Sequence, residues 1–166
     1  MSAARLLAGW LLFTIIFIAG CAHPTRTSGT FDPKNAFWSG RLSLQVDQAP
    51  EQSFSAAFEL KGNATSGELS LFSPLGSTLA VLRWSPGSAI LNTGSETRRF
   101  ESLESLVGQA TGTPIPVAAL FDWLDGVATP VPGWQADLSQ LEPAGRIHAR
   151  RSAPTPVVDL RVAPDR

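Results

Sequence analysis

The chain has 166 residues, a formal net charge of −1 and 43% hydrophobic residues. With 13 Lys and Arg against 14 Asp and Glu, no basic excess exists to hold a nucleic-acid backbone. The hydrophobicity is too high for a disordered chain, and two His and one Cys leave little for a metal site, a disulfide framework or a His-based catalytic apparatus. The 14 Gly and 13 Pro suggest many turns and short strands in one domain of ordinary size.

In chain order, the first segment reads as an address. Arg5 supplies a positive end, and an apolar run from Leu6 to Ala19 follows. That run is short for a bilayer span, which needs roughly 20 apolar residues. It ends in Ile18-Ala19-Gly20-Cys21, which resembles the bacterial lipobox. Residues 1–20 are therefore expected to be a lipoprotein signal peptide, with Cys21 the acylated first residue of the mature chain. Ala22, where Asp would mark retention in the inner membrane of a Gram-negative cell, points to the outer membrane. Residues 21–36 are rich in Pro, Thr, Ser and Gly and read as a lipidated flexible tether.

Residues 37–166 form the expected folded domain. Leu42, Leu44 and Val46 alternate with Arg41, Ser43, Gln45 and Asp47, the mark of a strand with one buried face. Phe54, Ala56, Phe58 and Leu60 repeat the pattern, as do Leu69 and Leu71. Thr78 to Trp84 and Ala89 to Asn92 are further strand candidates, and Arg98-Arg99 reads as solvated strand. Gly62-Asn63, Ser66-Gly67, Pro74-Leu75-Gly76, Pro86-Gly87 and Thr93-Gly94 supply the turns.

Residues 101–126 change period. Leu103, Leu106, Val107 and Ala110 share one helical face, and Gly112 is a stop. Pro116 opens a second helix whose stripe is Val117, Leu120, Phe121 and Leu124. Trp134, Ala136 and Leu138 restore alternation, followed by Ile147 and Ala149, and last by Val158, Leu160 and Val162. The short, Pro-rich C-terminal part predicts that these last strands are few or irregular. The fold class is mainly β with inserted helices, an antiparallel sheet whose inner face meets the helices.

The chemistry of an enzyme is not written here. There is no Gly-x-Ser-x-Gly, no His-Glu-x-x-His and no phosphate-binding Gly loop. His148 reads as an exposed strand residue, and Asp122 and Asp125 as solvated helix residues. No catalytic residue, metal ligand or cofactor is expected.

Two stretches stand out: Ser73-Pro74-Leu75-Gly76-Ser77-Thr78, and Gly112-Thr113-Pro114-Ile115-Pro116 with Leu120, Trp123 and Gly126 behind it. Together with the lipobox and an early Trp38, they resemble the LolB family of outer-membrane lipoprotein receptors over about residues 37–135. One departure is Phe58-Glu59-Leu60, where the family often has a Trp. The resemblance implies an unclosed antiparallel β-barrel around a hydrophobic cavity. It implies a monomer that takes lipoproteins from the periplasmic carrier LolA by their acyl chains and inserts them into the outer membrane, using no nucleotide. Cavity candidates are Leu42, Leu44, Phe54, Phe58, Leu69, Leu71, Leu79 and Val81 on the strands, and Leu106, Leu120 and Trp123 on the helices. Leu75, held between Pro74 and Gly76, is implied to promote membrane insertion of the cargo. The same apolar positions also suit a structural envelope lipoprotein with a filled core and no acyl-chain binding. A lipid-anchored enzyme or inhibitor is disfavoured by the poor site inventory, and a LolA-like soluble carrier by Cys21.

Overall fold

A computed structural model describes residues 36–48 and 50–165. The expected signal peptide, Cys21, Ala22 and nearly all of the tether lie outside the described residues. Nine strands follow in chain order: β1 (Ala36–Asp47), β2 (Gln52–Gly62), β3 (Gly67–Phe72), β4 (Thr78–Ser85), β5 (Ser88–Asn92), β6 (Thr97–Phe100), β7 (Trp134–Asp137), β8 (Ile147–Arg151) and β9 (Val157–Pro164). Helices α1 (Leu103–Thr111) and α2 (Val117–Leu124) come between β6 and β7, and the short α3 (Leu141–Ala144) between β7 and β8.

The strands make one antiparallel sheet in the order β6-β5-β4-β3-β2-β1-β9-β8-β7, with β6 and β7 as its two free edges. β1 is central because it is long and pairs on both sides, with β2 from Ala36 to Val46 and with β9 from Gly40 to Asp47. The C-terminal strands correct the expectation of irregularity. Val158, Leu160 and Val162 lie in register opposite Val46, Leu44 and Leu42, so three β-branched or Leu residues on each strand bury one continuous face. That burial fixes the register against the Pro-rich approach, because a slip of one residue would turn every apolar side chain to water.

The sheet curves around its helices. Trp84 on β4 meets Phe121 of α2 edge-on at 6.2 Å between ring centroids. Two residues further along the same helix, Trp123 lies 6.4 Å from Trp134 on β7. One eight-residue helix thus reaches from β4 to the far edge of the sheet. α1 packs on β5 and β6. Its start is capped by Ser102, whose Oγ accepts from the Ser105 N–H at 3.1 Å, and Gly112 closes it in the left-handed region at φ 69°. Gly67 makes room for Trp84: a Cβ there would stand 2.6 Å from the indole ring. The indole N–H is satisfied by the Asn63 carbonyl at 3.1 Å.

Trp123 is 1% exposed and donates its indole N–H to the Thr129 carbonyl at 3.1 Å. Trp123→Ala is expected to cost about 3–5 kcal/mol, read as a lower denaturation midpoint with an unchanged m-value. A cost within about 0.5 kcal/mol would mean that α2 is not a keystone of the core.

Candidate functional site: an apolar cavity with an open mouth

Antiparallel connection sends alternate turns to opposite ends of a sheet. The β1–β2, β3–β4 and β5–β6 turns therefore share one end, and the two helices fill the core elsewhere. At that end a cavity of about 770 Å³ remains, within the roughly 300–1,000 Å³ of small-ligand pockets. Its deep wall is Leu44 and Val46 on β1, Leu71 on β3, Ala80 and Leu82 on β4, and Leu91 on β5. Phe54 and Leu79 stand at its rim, 40% and 38% exposed. Glu51, Glu96, Arg98 and the end of α1 from Gln109 to Thr111 supply the polar border.

The predicted cavity residues divide into three groups. Leu44, Phe54, Leu71 and Leu79 line the space. Phe58, Leu69, Leu106, Leu120 and Trp123 are buried in the packed core and do not line it, while Leu42 is half-buried against the edge of that core. Val81 belongs to the opposite face of the sheet. It pairs with Ser70 and Asn92, whereas Ala80 and Leu82 pair with Leu71 and Leu91 on the inner face. The cause is a bulge: Leu71 faces Ala80 but Phe72 faces Thr78, so Leu79 is an extra residue that shifts the alternation by one. Arg83 carries the signal that finds this, since its Nε meets Glu68 Oε2 at 2.6 Å on the outer face and Val81 shares its parity. Val46, Ala80, Leu82 and Leu91 are the wall residues that the sequence reading left out.

Leu75 sits at the tip of the β3–β4 turn, 94% exposed. The turn is held beneath it by three hydrogen bonds. Ser73 N–H donates to the Ser77 carbonyl at 2.8 Å, Gly76 N–H to the Ser73 carbonyl at 2.9 Å and Ser77 N–H to Ser73 Oγ at 3.1 Å. Gly76 takes φ +83°, a backbone angle that residues with a Cβ rarely adopt. The loop is thus built to present one apolar side chain at the end of the sheet where the cavity opens.

The Gly112-Thr113-Pro114-Ile115-Pro116 segment has a structural task. Thr113 is 2% and Arg151 3% exposed, and the Arg151 guanidinium donates to Thr113 Oγ1, to the Pro114 carbonyl at 3.4 Å and to the Pro156 carbonyl at 3.1 Å. The α1–α2 connection is thereby fastened to β8 and to the start of β9. Burial lowers the Arg151 pKa from its ordinary value, and its guanidinium lies 6.0 Å from the Trp134 ring centre. Thr113→Val keeps the shape and removes the acceptor. It is expected to cost about 1–3 kcal/mol, the penalty of a buried charged donor left without its partner, measured by urea denaturation.

His148, Asp122 and Asp125 stand apart from the cavity. His148 Nε2 lies 2.5 Å from Asp159 Oδ1 on the outer face, a carboxylate partner that only the β8–β9 pairing reveals. Asp122 accepts from Thr129 Oγ1 at 2.6 Å. The Asp125 pKa is raised by burial first and by Asp122 second.

A single curved sheet with an apolar-walled, polar-rimmed hollow at one end is the build of a binding module for an apolar ligand. Residues 36–157 match the family described as outer membrane lipoprotein LolB. The outer-membrane lipoprotein LolB of Cupriavidus metallidurans is 34% identical over 136 residues, which cover 78% of this chain and 66% of the relative. That of Bordetella petrii is 32% identical over 162 residues, covering 82% and 80%, and that of Chromobacterium violaceum 31% over 129 residues, covering 72% and 68%. The chain thus spans about two thirds of the length of the Cupriavidus protein. It belongs to the LolB family of outer-membrane lipoproteins.

Proposed function

We propose that this protein is a receptor that accepts lipoproteins from the periplasmic carrier LolA by taking their acyl chains into the cavity, and then inserts them into the outer membrane. It does so anchored through acylated Cys21, with no catalytic step. The observation that carries the reading is the cavity of about 770 Å³ with an apolar wall, opening at the end of the sheet where Leu75 projects. Transfer between two apolar sites needs no energy source of its own. Each CH₂ buried is worth about 0.8 kcal/mol, so a small difference in buried chain length gives direction.

The test mixes the protein with LolA loaded with a labelled triacylated lipoprotein and adds liposomes. Label is expected first on the protein and then in the liposomes. Label that stays on LolA, or that reaches liposomes at the same rate without the protein, defeats the reading.

A further inference from the structure

Arg98 stands where the pattern of the sheet calls for an apolar residue. Its partner across β5 is Leu91, and the row runs on through Leu82 to Leu69. Three leucines and one arginine share this inward row, and Arg98, Leu91 and Leu82 all line the cavity. The guanidinium is held over the Phe100 ring, 5.2 Å from its centroid. Its Nε forms an ion pair with Glu96 Oε1 at 3.7 Å, longer than a hydrogen bond. Among the described residues the guanidinium is thus placed by one ion pair and one ring, and with its side chain 43% exposed it borders the mouth of a hydrocarbon-sized hollow as a cation with five N–H groups.

We propose that Arg98 sets the depth at which a bound chain stops, by donating to the carboxylic-ester oxygens that join long acyl chains to a glyceryl group. This rests on the acyl-chain reading above. A hydrocarbon tail offers no acceptor to any wall residue. The first acceptors met on leaving the apolar wall toward the mouth are the ester carbonyls, and Arg98 borders the cavity there together with Gln109 and Thr111 of α1. An apolar pocket with a few placed polar groups fixes the orientation of its ligand in this way. A hydrogen bond from a charged donor is stronger than one between neutral groups. Arg98 is a positioning residue for the cargo, and the ligand class is a diacylated glyceryl group.

The test compares three fluorescent probes on the mature chain carrying Cys21→Ser and on the same chain with Arg98→Gln. The probes are a dipalmitoyl-glyceryl lipopeptide, its dialkyl ether analogue, and a dipalmitoyl phospholipid. The parent is expected to prefer the ester lipopeptide to the ether about tenfold, and Arg98→Gln to abolish that preference by lowering only the ester affinities. The ratio of lipopeptide to phospholipid affinity then names the source of the ester. Equal binding of ester and ether by the parent overturns the proposal and leaves the acyl-chain reading standing, whereas a parent that binds no probe overturns that reading itself. Inward charges also guard free sheet edges against pairing, and β6 is such an edge. Arg98→Gln that self-associates in sedimentation while keeping the ester preference assigns Arg98 to that task and overturns the proposal.

Discussion

Ala80→Trp is expected to weaken acyl-chain binding on the order of a hundredfold while leaving the protein as stable as before or slightly more so. Ala80 faces Leu71 across β3 and opens into the cavity, so the indole has empty space to enter. An aromatic side chain suits a strand position, and filling a cavity commonly adds about 0.5–2 kcal/mol of stability. The ligand loses what the ring gains. If the ring excludes four methylenes at about 0.8 kcal/mol each, affinity falls on the order of a hundredfold. The opposite signs of the two effects separate the receptor from an envelope lipoprotein with a filled core. In a filled core the same ring would overpack and cost about 1–3 kcal/mol. Titration of an acyl probe and a urea melt of the same preparation give both numbers. Lost stability together with unchanged probe binding would mean that the hollow is not the acyl site.

The contrast between hollow and core also explains what could be read from the sequence. Alternation told which strand residues face inward, because Leu44, Val46, Phe58 and Leu60 each have a polar neighbour to mark the outer face. It failed from Leu79 to Leu82, where four consecutive apolar residues give no parity and a bulge shifts it. Inward direction does not tell whether a side chain lines a space or fills one. That is decided by where the helices end. α1 and α2 are nine and eight residues long, and they bury Leu106, Leu120 and Trp123 against the sheet while the mouth end is left open. Arg98 and Arg99 are exposed strand residues, as the sequence suggests, but two adjacent cations hide which one borders the cavity. Only the pairing of Leu91 with Arg98 shows it. Thr113 stood out in the sequence only as part of a motif, and its structural task was hidden because its partner Arg151 lies 38 residues away in sequence.

Leu75→Glu is expected to leave uptake from LolA within about twofold of the parent and to slow release into liposomes by more than tenfold. The side chain is 94% exposed and makes no part of the cavity wall, so neither folding nor chain binding depends on it. Its environment in the free protein is water, and burial of a Leu gains about 1.5–3 kcal/mol. That is too little to anchor a protein, but enough to favour, by about tenfold or more, the orientation in which the mouth faces lipid. The hydrogen-bonded turn from Ser73 to Ser77 makes the orientation useful, because a stiff loop transmits the insertion of one residue to the whole end of the sheet. A carboxylate at the tip would have to leave water or give up its charge to enter the interface, so the docked orientation loses its advantage. Leu75→Ile keeps the apolar surface and is expected to release at nearly the parental rate. The measurement loads each variant with a labelled lipoprotein and follows uptake and transfer to liposomes separately. Uptake lost with normal release of any loaded cargo would place the loop in the binding site. Release unchanged in Leu75→Glu would show that the mouth finds the bilayer without it.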